Sequence, residues 1–408
     1  MLVTLVPLFD ENLAVKAYSV FTQKKNPFLN PSLLGTGWLD GASRVVGMEL
    51  VEGVGVDAIA DDKNVFIPVT NISIFSDLEN RNGAPHERLV LLMDNSVTPD
   101  EQYIKRLQIL KASGYQLAMR KLGVPKFEEY REVLRLMDYI FLDSQKIDIS
   151  KARVYFSNVY PNIQLCAGNI PTMERFEWLR DEGGYQFYEG EFYRTPINKG
   201  EHDVSPLKVN YIQLLNMVNS PDFDLEEAAD VIGKDTALVI DLLKMVNRMT
   251  INGQITGIRH AAAMLGEREL RKWLTTVLAG RLFSDKPNEI TRLSLIRAKF
   301  AEKLAPTFSL ASQASNLFLA GLFSVLDIIL EMPMEEALKI VEVPKVVRDV
   351  LVEDKGNLAP VIDFMKQYEN ANWQEISRQM VLNRIDDTDV FEAYIESLQW
   401  YAQILAVK

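Results

Sequence analysis

The sequence predicts an α/β plus all-α protein, a TIM-like (β/α) barrel followed by a wholly helical domain, on three observations. Its 408 residues are too many for one ordinary core, so two domains of about 200 residues each are expected. The first half alternates short apolar runs with amphipathic stretches. The second half carries helical spacing throughout, and nowhere does an apolar–polar alternation last for a strand's length.

The candidate strands are LVTLVPLF, NVFIPV, RLVLLMD, YQLAMRKLG, YIFLDS and IQLCAGNI. Such short, almost wholly apolar runs suit a parallel sheet buried on both faces. Between them lie PDEQYIKRLQILKASG, KFEEYREVLRLM and TMERFEWLRDEGG, which read as covering helices. This many βα units before residue 200 suit a closed barrel better than a small open sheet. The segment INKGEHDVSPLK, residues 197–208, is rich in Gly, Pro and charge and poor in apolar residues. It reads as a linker, dividing a barrel domain, residues 1–198, from a helical domain, residues 205–408. In the latter, DLEEAADVIG opens on an acidic cap and closes on Gly233, and TALVIDLLKMVN repeats apolar residues at helical spacing. SLASQASNLFLAGLFSVLDIILEM reads as one long buried helix and MEEALKIVEV as a shorter one. Leu317, Phe318, Leu322, Phe323 and Leu326 share a helical face, which is core or, alternatively, a groove for a partner helix.

Composition narrows the function. Apolar residues make up 48% of the chain and charged residues 25%, the balance of a globular protein. A net charge of −12 repels phosphate backbones and argues against general nucleic-acid binding. The single cysteine, Cys166, cannot form an internal disulfide or a thiolate metal centre, and in its apolar strand it reads as packing. MLVTLVPLFDENL lacks a basic start and reads as a first strand, not a signal peptide. Asp327 interrupts the longest apolar run, so no membrane insertion and a cytoplasmic address are expected.

Motifs for chemistry are scarce. His202-Asp203 invites comparison with an HD metal pair, but it lies in the linker. With only His86 and His260 besides it, a His-rich dinuclear centre cannot be furnished. GTGWLDG, residues 35–41, has the wrong spacing for a dinucleotide fingerprint and reads as a loop. No phosphate-binding loop, nucleophile elbow or zinc-protease motif occurs.

Two stretches resemble known families. VPLFDENLAVKAYSVF resembles the opening of EAL-domain proteins, and RLVLLMD, SGYQLAMRKLG, YIFLDS, IQLCAGNI and FYEGEFYRTPI follow in the order of that family's strands. DLEEAADVIGKDTALVIDLLKMVNRMTINGQITGIRHAAAMLG resembles the HDOD signature, and GLFSVLDIIL sits where two-domain proteins of this type carry a similar helix. The resemblance implies an EAL-type barrel followed by an HDOD domain. It also implies a bacterial signalling protein related to enzymes that hydrolyse cyclic di-GMP with two divalent metals.

That chemistry needs converging carboxylates, and on the resemblance most are replaced. The signature Glu falls on Ser19 and the ligand-binding Arg on Gln23. The metal-binding Asn falls on Pro68. The first Glu of the E-x-x-E strand end falls on Leu91, whereas Asp94 keeps an acid at the second. The paired aspartates fall on Arg120 and Lys121, and no one-residue slip restores them. The catalytic Lys falls on Phe141, with Asp143 retained two residues on. The last two glutamates fall on Gly168 and Pro171, and the Gln before the final Gly falls on Glu189. At 4 Å and an effective dielectric near 20, each reversal of charge turns about 4 kcal/mol of attraction into repulsion.

The expectation is a non-catalytic signalling or scaffold protein, without cofactor or metal, that acts through protein partners; a homodimer is left open. The alternative is a non-hydrolysing receptor for cyclic di-GMP or another anionic nucleotide, against which Gln23 and Glu189 count. Arg120 and Lys121 carry two readings. They are counter-charges for Asp94, Asp143 or Glu189, or they form a small anion site at the barrel's C-terminal face.

Overall fold

The computed structural model describes residues 2–23, 45–80, 85–194, 218, 223, 225–233, 235–249, 255–282, 288–340 and 343–405. The expected linker, the His202-Asp203 pair, the GTGWLDG loop and nearly all of LKVNYIQLLNMVN lie outside them. The chain divides into two compact units, Met1–Thr195 with Lys366–Ile395, and Pro196–Met365 with Glu396–Lys408.

The first unit holds an eight-stranded barrel closed in chain order. Its strands are β1 (Val3–Phe9), β2 (Val15–Thr22), β3 (Asn64–Pro68), β4 (Leu89–Met93), β5 (Gln116–Met119), β6 (Tyr139–Asp143), β7 (Gln164–Ile170) and β8 (Phe187–Gly190). All six candidate strands are present, and β2 and β8 complete the set. The wholly parallel sheet expected from the apolar runs needs correction, because β1 runs antiparallel to both β2 and β8. The cause is local. The Asp10 carboxylate accepts hydrogen bonds from the Asn12 and Ala14 amides, closing a tight turn, and so short a connection can only make a hairpin. From β2 to β8 every pairing is parallel.

Helices α1 (Val46–Val54), α2 (Val56–Ala60), α3 (Glu101–Ala112), α4 (Arg131–Leu134), α5 (Ile149–Val159) and α6 (Met173–Glu182) connect the parallel strands. Side chains of Asp100, Asp148 and Thr172 cap α3, α5 and α6 by accepting backbone amides of the first turn. KFEEYREVLRLM does not form the single helix expected of it: a 3₁₀ turn at Val124–Lys126 precedes the four-residue α4. One buried residue or more from every strand meets inside the barrel: Leu8, Ala17, Phe66, Val90, Leu92, Ala118, Tyr139, Phe141, Cys166 and Phe187.

The second unit is helical, with α7 (Leu225–Gly233), α8 (Thr236–Met249), α9 (Ile258–Leu282), α10 (Asn288–Leu304), α11 (Ala314–Phe323), α12 (Leu326–Leu330), α13 (Met334–Ile340) and α14 (Lys345–Glu353). Two features of its signature run have plain structural uses. The Asn247 amide accepts from the Ile255 N–H at 2.7 Å and donates to the Ile255 carbonyl at 2.9 Å, tying the end of α8 to the segment before α9. Gly266 breaks α9 at φ 75°, a conformation that glycine adopts without a Cβ penalty. The apolar run after Ser309 is not one long helix. A 3₁₀ turn leads into α11, and the chain breaks at Ser324–Val325 before α12. By length and composition alone Ala311–Leu330 could cross a membrane, yet just over half of it is buried within the protein. Leu317, Phe318, Leu322, Phe323 and Leu326 are all buried, so that face is core.

The domain boundary expected at 205–408 also needs correction. Helices α15 (Ala359–Glu369), α16 (Trp373–Asn383) and α17 (Asp387–Leu405) follow α14, and Lys366–Ile395 belongs with the barrel. β8 pairs with β1 only at Phe9 and Tyr188, which leaves the far end of β1 with an open edge, and buried backbone groups there need partners. Residues from the C-terminal segment supply them. The Tyr368 hydroxyl donates to the Val3 carbonyl at 2.7 Å and lies 3.3 Å from the Val3 amide, and the Tyr394 hydroxyl accepts from the Leu5 amide at 3.2 Å.

Candidate functional site at the barrel mouth

Side chains alternate along a strand, so the interior cluster fixes which residues reach the C-terminal rim. Two residues beyond Phe66, Leu92, Ala118, Phe141, Cys166 and Phe187 stand Pro68, Asp94, Arg120, Asp143, Gly168 and Glu189. On β2 the same face runs Ala17, Ser19, Phe21. Strand alternation thus gathers most of the residues singled out from the sequence into one ring. Leu91 is one exception. It is buried but lies on the opposite face of β4 from Val90 and Leu92, so the inward position is Leu92. The all-apolar run LVLLM hides that parity from a sequence reading. Gln23 is also turned to another use, since its side-chain amide donates to Ser377 Oγ at 2.7 Å.

Arg120 lies across the ring. Its guanidinium is 2.9 Å from Glu189 Oε1 and stands over the rings of Phe21 and Phe141, at 4.7 and 5.2 Å from their centroids. Phe141 thus packs against a cation. Glu189 is buried and its second oxygen, Oε2, has no hydrogen-bond partner; the buried Ser19 hydroxyl likewise has none. Lys121 has a left-handed φ of 60°. Its side chain is 61% exposed and its Nζ lies 4.0 Å from Asp94. Burial works against the Asp143 carboxylate, but hydrogen bonds from Asn169 and the Gln145 amide, with Lys146 nearby, outweigh it and hold the carboxyl below its usual range. Burial, reinforced by Glu189 and opposed by Arg120, pushes the Cys166 thiol up, so it stays protonated and inert. Pro171 is exposed on the rim.

A cavity of about 320 Å³ opens among these groups, lined by Phe21, Arg120, Asp143, Glu189, Arg194 and Asn370 in particular. Arg194 and the residues around Asn370 had no signal in the sequence. Arg194 donates to Asn370 Oδ1 at 2.6 Å and to the Tyr193 hydroxyl at 2.9 Å. Burial disfavours its charge, but Tyr193, Glu369 and Glu191 more than compensate and push its pKa up.

The residues present do not fit a pair of divalent cations. Pro68 and Gly168 offer no side-chain donor, and Arg120 brings a positive charge against the buried Glu189 carboxylate. Asp94 and Asp143 each lie beside a lysine. Among the described residues no three His, Cys, Asp or Glu side chains group so as to hold a metal ion.

Residues 205–342 match the HDOD domain family. The chain is 26% identical over 415 residues to the uncharacterized protein YuxH of Bacillus subtilis, covering 98% of each. It is 27% identical to the cyclic di-GMP phosphodiesterase CdgJ of Vibrio cholerae, over 78% of this chain and 74% of that one. Among solved structures, the cyclic di-GMP complex of Klebsiella pneumoniae BlrP1 is similar over 46% of this chain and 54% of its own, at 14% identity and a TM-score of 0.37. A standalone EAL protein from Vibrio cholerae is similar over 46% and 89%, at 17% identity and a TM-score of 0.36. The chain thus joins an eight-stranded barrel, with EAL structures among its neighbours, to a helical HDOD region.

Proposed function

We propose that this protein is a phosphodiesterase-like signalling protein that works by binding, not by hydrolysing cyclic di-GMP. The observation that carries the reading is the Arg120–Glu189 pair across the barrel mouth. Metal-assisted phosphodiester hydrolysis needs carboxylates converging on cations that activate a water. Here a guanidinium stands between Phe21 and Phe141 and pairs with the inward carboxylate of β8. The remaining acids, Asp94 and Asp143, cannot replace the missing donors at Pro68, Leu92 and Gly168. The barrel then serves as a platform, and the HDOD region is the surface on which a protein partner docks.

A second reading has one observation in its favour. The mouth keeps a cavity of ligand-binding size, so the barrel could hold cyclic di-GMP or another anionic nucleotide without cleaving it. Lys121 and Lys146 stand on its lining as sources of positive charge.

The test is incubation of the purified full chain with cyclic di-GMP and Mn²⁺ or Mg²⁺, following product by chromatography. The expected result is no product above the buffer control. Turnover that EDTA abolishes would overturn the proposal.

A further inference from the structure

The corner between α15 and α16 stands at the barrel mouth. Glu369, Asn370 and Ala371 line the cavity together with the strand-end residues. α15 ends at Glu369, Ala371 takes a left-handed φ of 51°, and α16 begins at Trp373, so the chain turns sharply at the edge of the cavity. Glu369 is buried while Asn370 is exposed. Two groups of this corner act on the rim residue Arg194: Asn370 Oδ1 accepts a hydrogen bond from it, and the buried Glu369 carboxylate favours its charge. Arg194 is in turn oriented by the Tyr193 hydroxyl, whose ring its guanidinium also faces at 5.2 Å. The barrel therefore carries, from a segment far away in sequence, a turn that forms part of the wall of its mouth cavity.

We propose that residues 369–371 form a gate over the mouth cavity, latched shut by Arg194, and that ligand entry requires this latch to open. The hydrogen-bond acceptor in the latch is the neutral Asn370 amide, with the Glu369 carboxylate adding its charge nearby. An ionised phosphate oxygen makes a bond to a guanidinium roughly twice as strong, and can do so bidentately. A phosphate-bearing ligand thus competes with Asn370 for Arg194 and opens the gate as it binds. Tyr368, adjoining the gate, stays bonded to Val3 and provides a fixed end about which the turn can swing. The gate rests on the receptor reading only for what passes through it; its latch stands on the geometry of Arg194 and Asn370.

Two substitutions at one exposed position move the latch in opposite directions. Asn370→Ala removes the acceptor, and Asn370→Asp turns the bond into an ion pair. Hydrogen exchange of the full-length protein, read by mass spectrometry on peptides covering residues 366–373, is expected to run about tenfold faster in Asn370→Ala, in keeping with loss of one hydrogen bond to a charged group. It should run slower than wild type in Asn370→Asp, and strands β5 to β7 should be unchanged in both. Calorimetric titration with cyclic di-GMP should then rank Asn370→Ala tightest and Asn370→Asp weakest. Exchange that is unaltered in both variants, or shifted the same way in both, would overturn the latch. The expected exchange shifts with equal affinities in all three proteins would overturn the gate. Absence of cyclic di-GMP binding in all three would sink the receptor reading, while the exchange data decide the latch independently.

Discussion

Replacing Arg120 with alanine is expected to destabilise the barrel by about 3 kcal/mol, at the lower end of the range for breaking a buried ion pair. The side chains of Arg120 and Glu189 are 19% and 8% exposed, so solvent entering by the mouth cavity only partly screens the charge left behind. Glu189 Oε2 already lacks a partner, and Arg120→Ala strips Oε1 as well, leaving a buried carboxylate with neither oxygen bonded. The contacts with Phe21 and Phe141 go too. Two comparisons separate this cause from general damage. Lys121→Ala should cost less than about 1 kcal/mol, because its side chain is largely exposed and its ion pair long. Arg120→Met with Glu189→Met should recover most of the loss, since apolar residues of similar size replace a buried pair at little cost. Urea denaturation of the four proteins measures all of this. Equal losses for Arg120→Ala and Lys121→Ala would contradict the assignment of Arg120 as the internal counter-charge.

The helical unit has an equally severe point at Gly321→Ala. A Cβ there would lie 2.4 Å from the Arg297 carbonyl oxygen, 2.6 Å from its carbon and 2.7 Å from Ala298 Cα. These are backbone atoms of α10 and cannot rotate aside, so α10 and α11 must separate. Separation disturbs the buried side chains of Leu317, Leu322 and Phe323 and the 2.6 Å bond from Ser294 Oγ to the Leu322 carbonyl. Overpacking of this kind costs about 3 kcal/mol. Gly233→Ala is the control, because its added methyl meets only the flexible end of Ile258 at 3.6 Å. Thermal melts followed by circular dichroism should show a large loss for the first and almost none for the second. A Gly321→Ala protein that melts like wild type would show that the close helix crossing does not contribute to stability.

What the sequence revealed and what it hid have physical causes. Runs such as YIFLDS and IQLCAGNI are apolar on both faces and announce buried strands, and their order announces a barrel. VKAYSVFT, the second strand, carries Lys16, Ser19 and Thr22, and its polar content blurred it. The direction of β1 depends on how Asp10 folds the following turn, which apolar patterning does not record. The return of Lys366–Ile395 to the barrel was likewise silent. Tyr368 and Tyr394 reach backbone groups of β1, and a helical repeat says where a face is apolar, not which edge its hydroxyls will satisfy. The ring positions were legible because strand alternation is rigid; Leu91 failed only where every neighbour was apolar. Arg194 and Asn370, distant in sequence and in no motif, became a pair only through the fold.

The central claim is that the barrel mouth carries its own positive charge in place of bound metal. Calorimetric titration of the full-length protein with Mn²⁺, with and without cyclic di-GMP, tests it most directly. The account predicts no saturable metal binding in either titration, and none gained when Arg120→Ala removes the guanidinium, since Pro68, Leu92 and Gly168 still provide no ligands. Stoichiometric binding of one or two Mn²⁺ per chain, lost on substitution of Asp94 or Asp143, would contradict it.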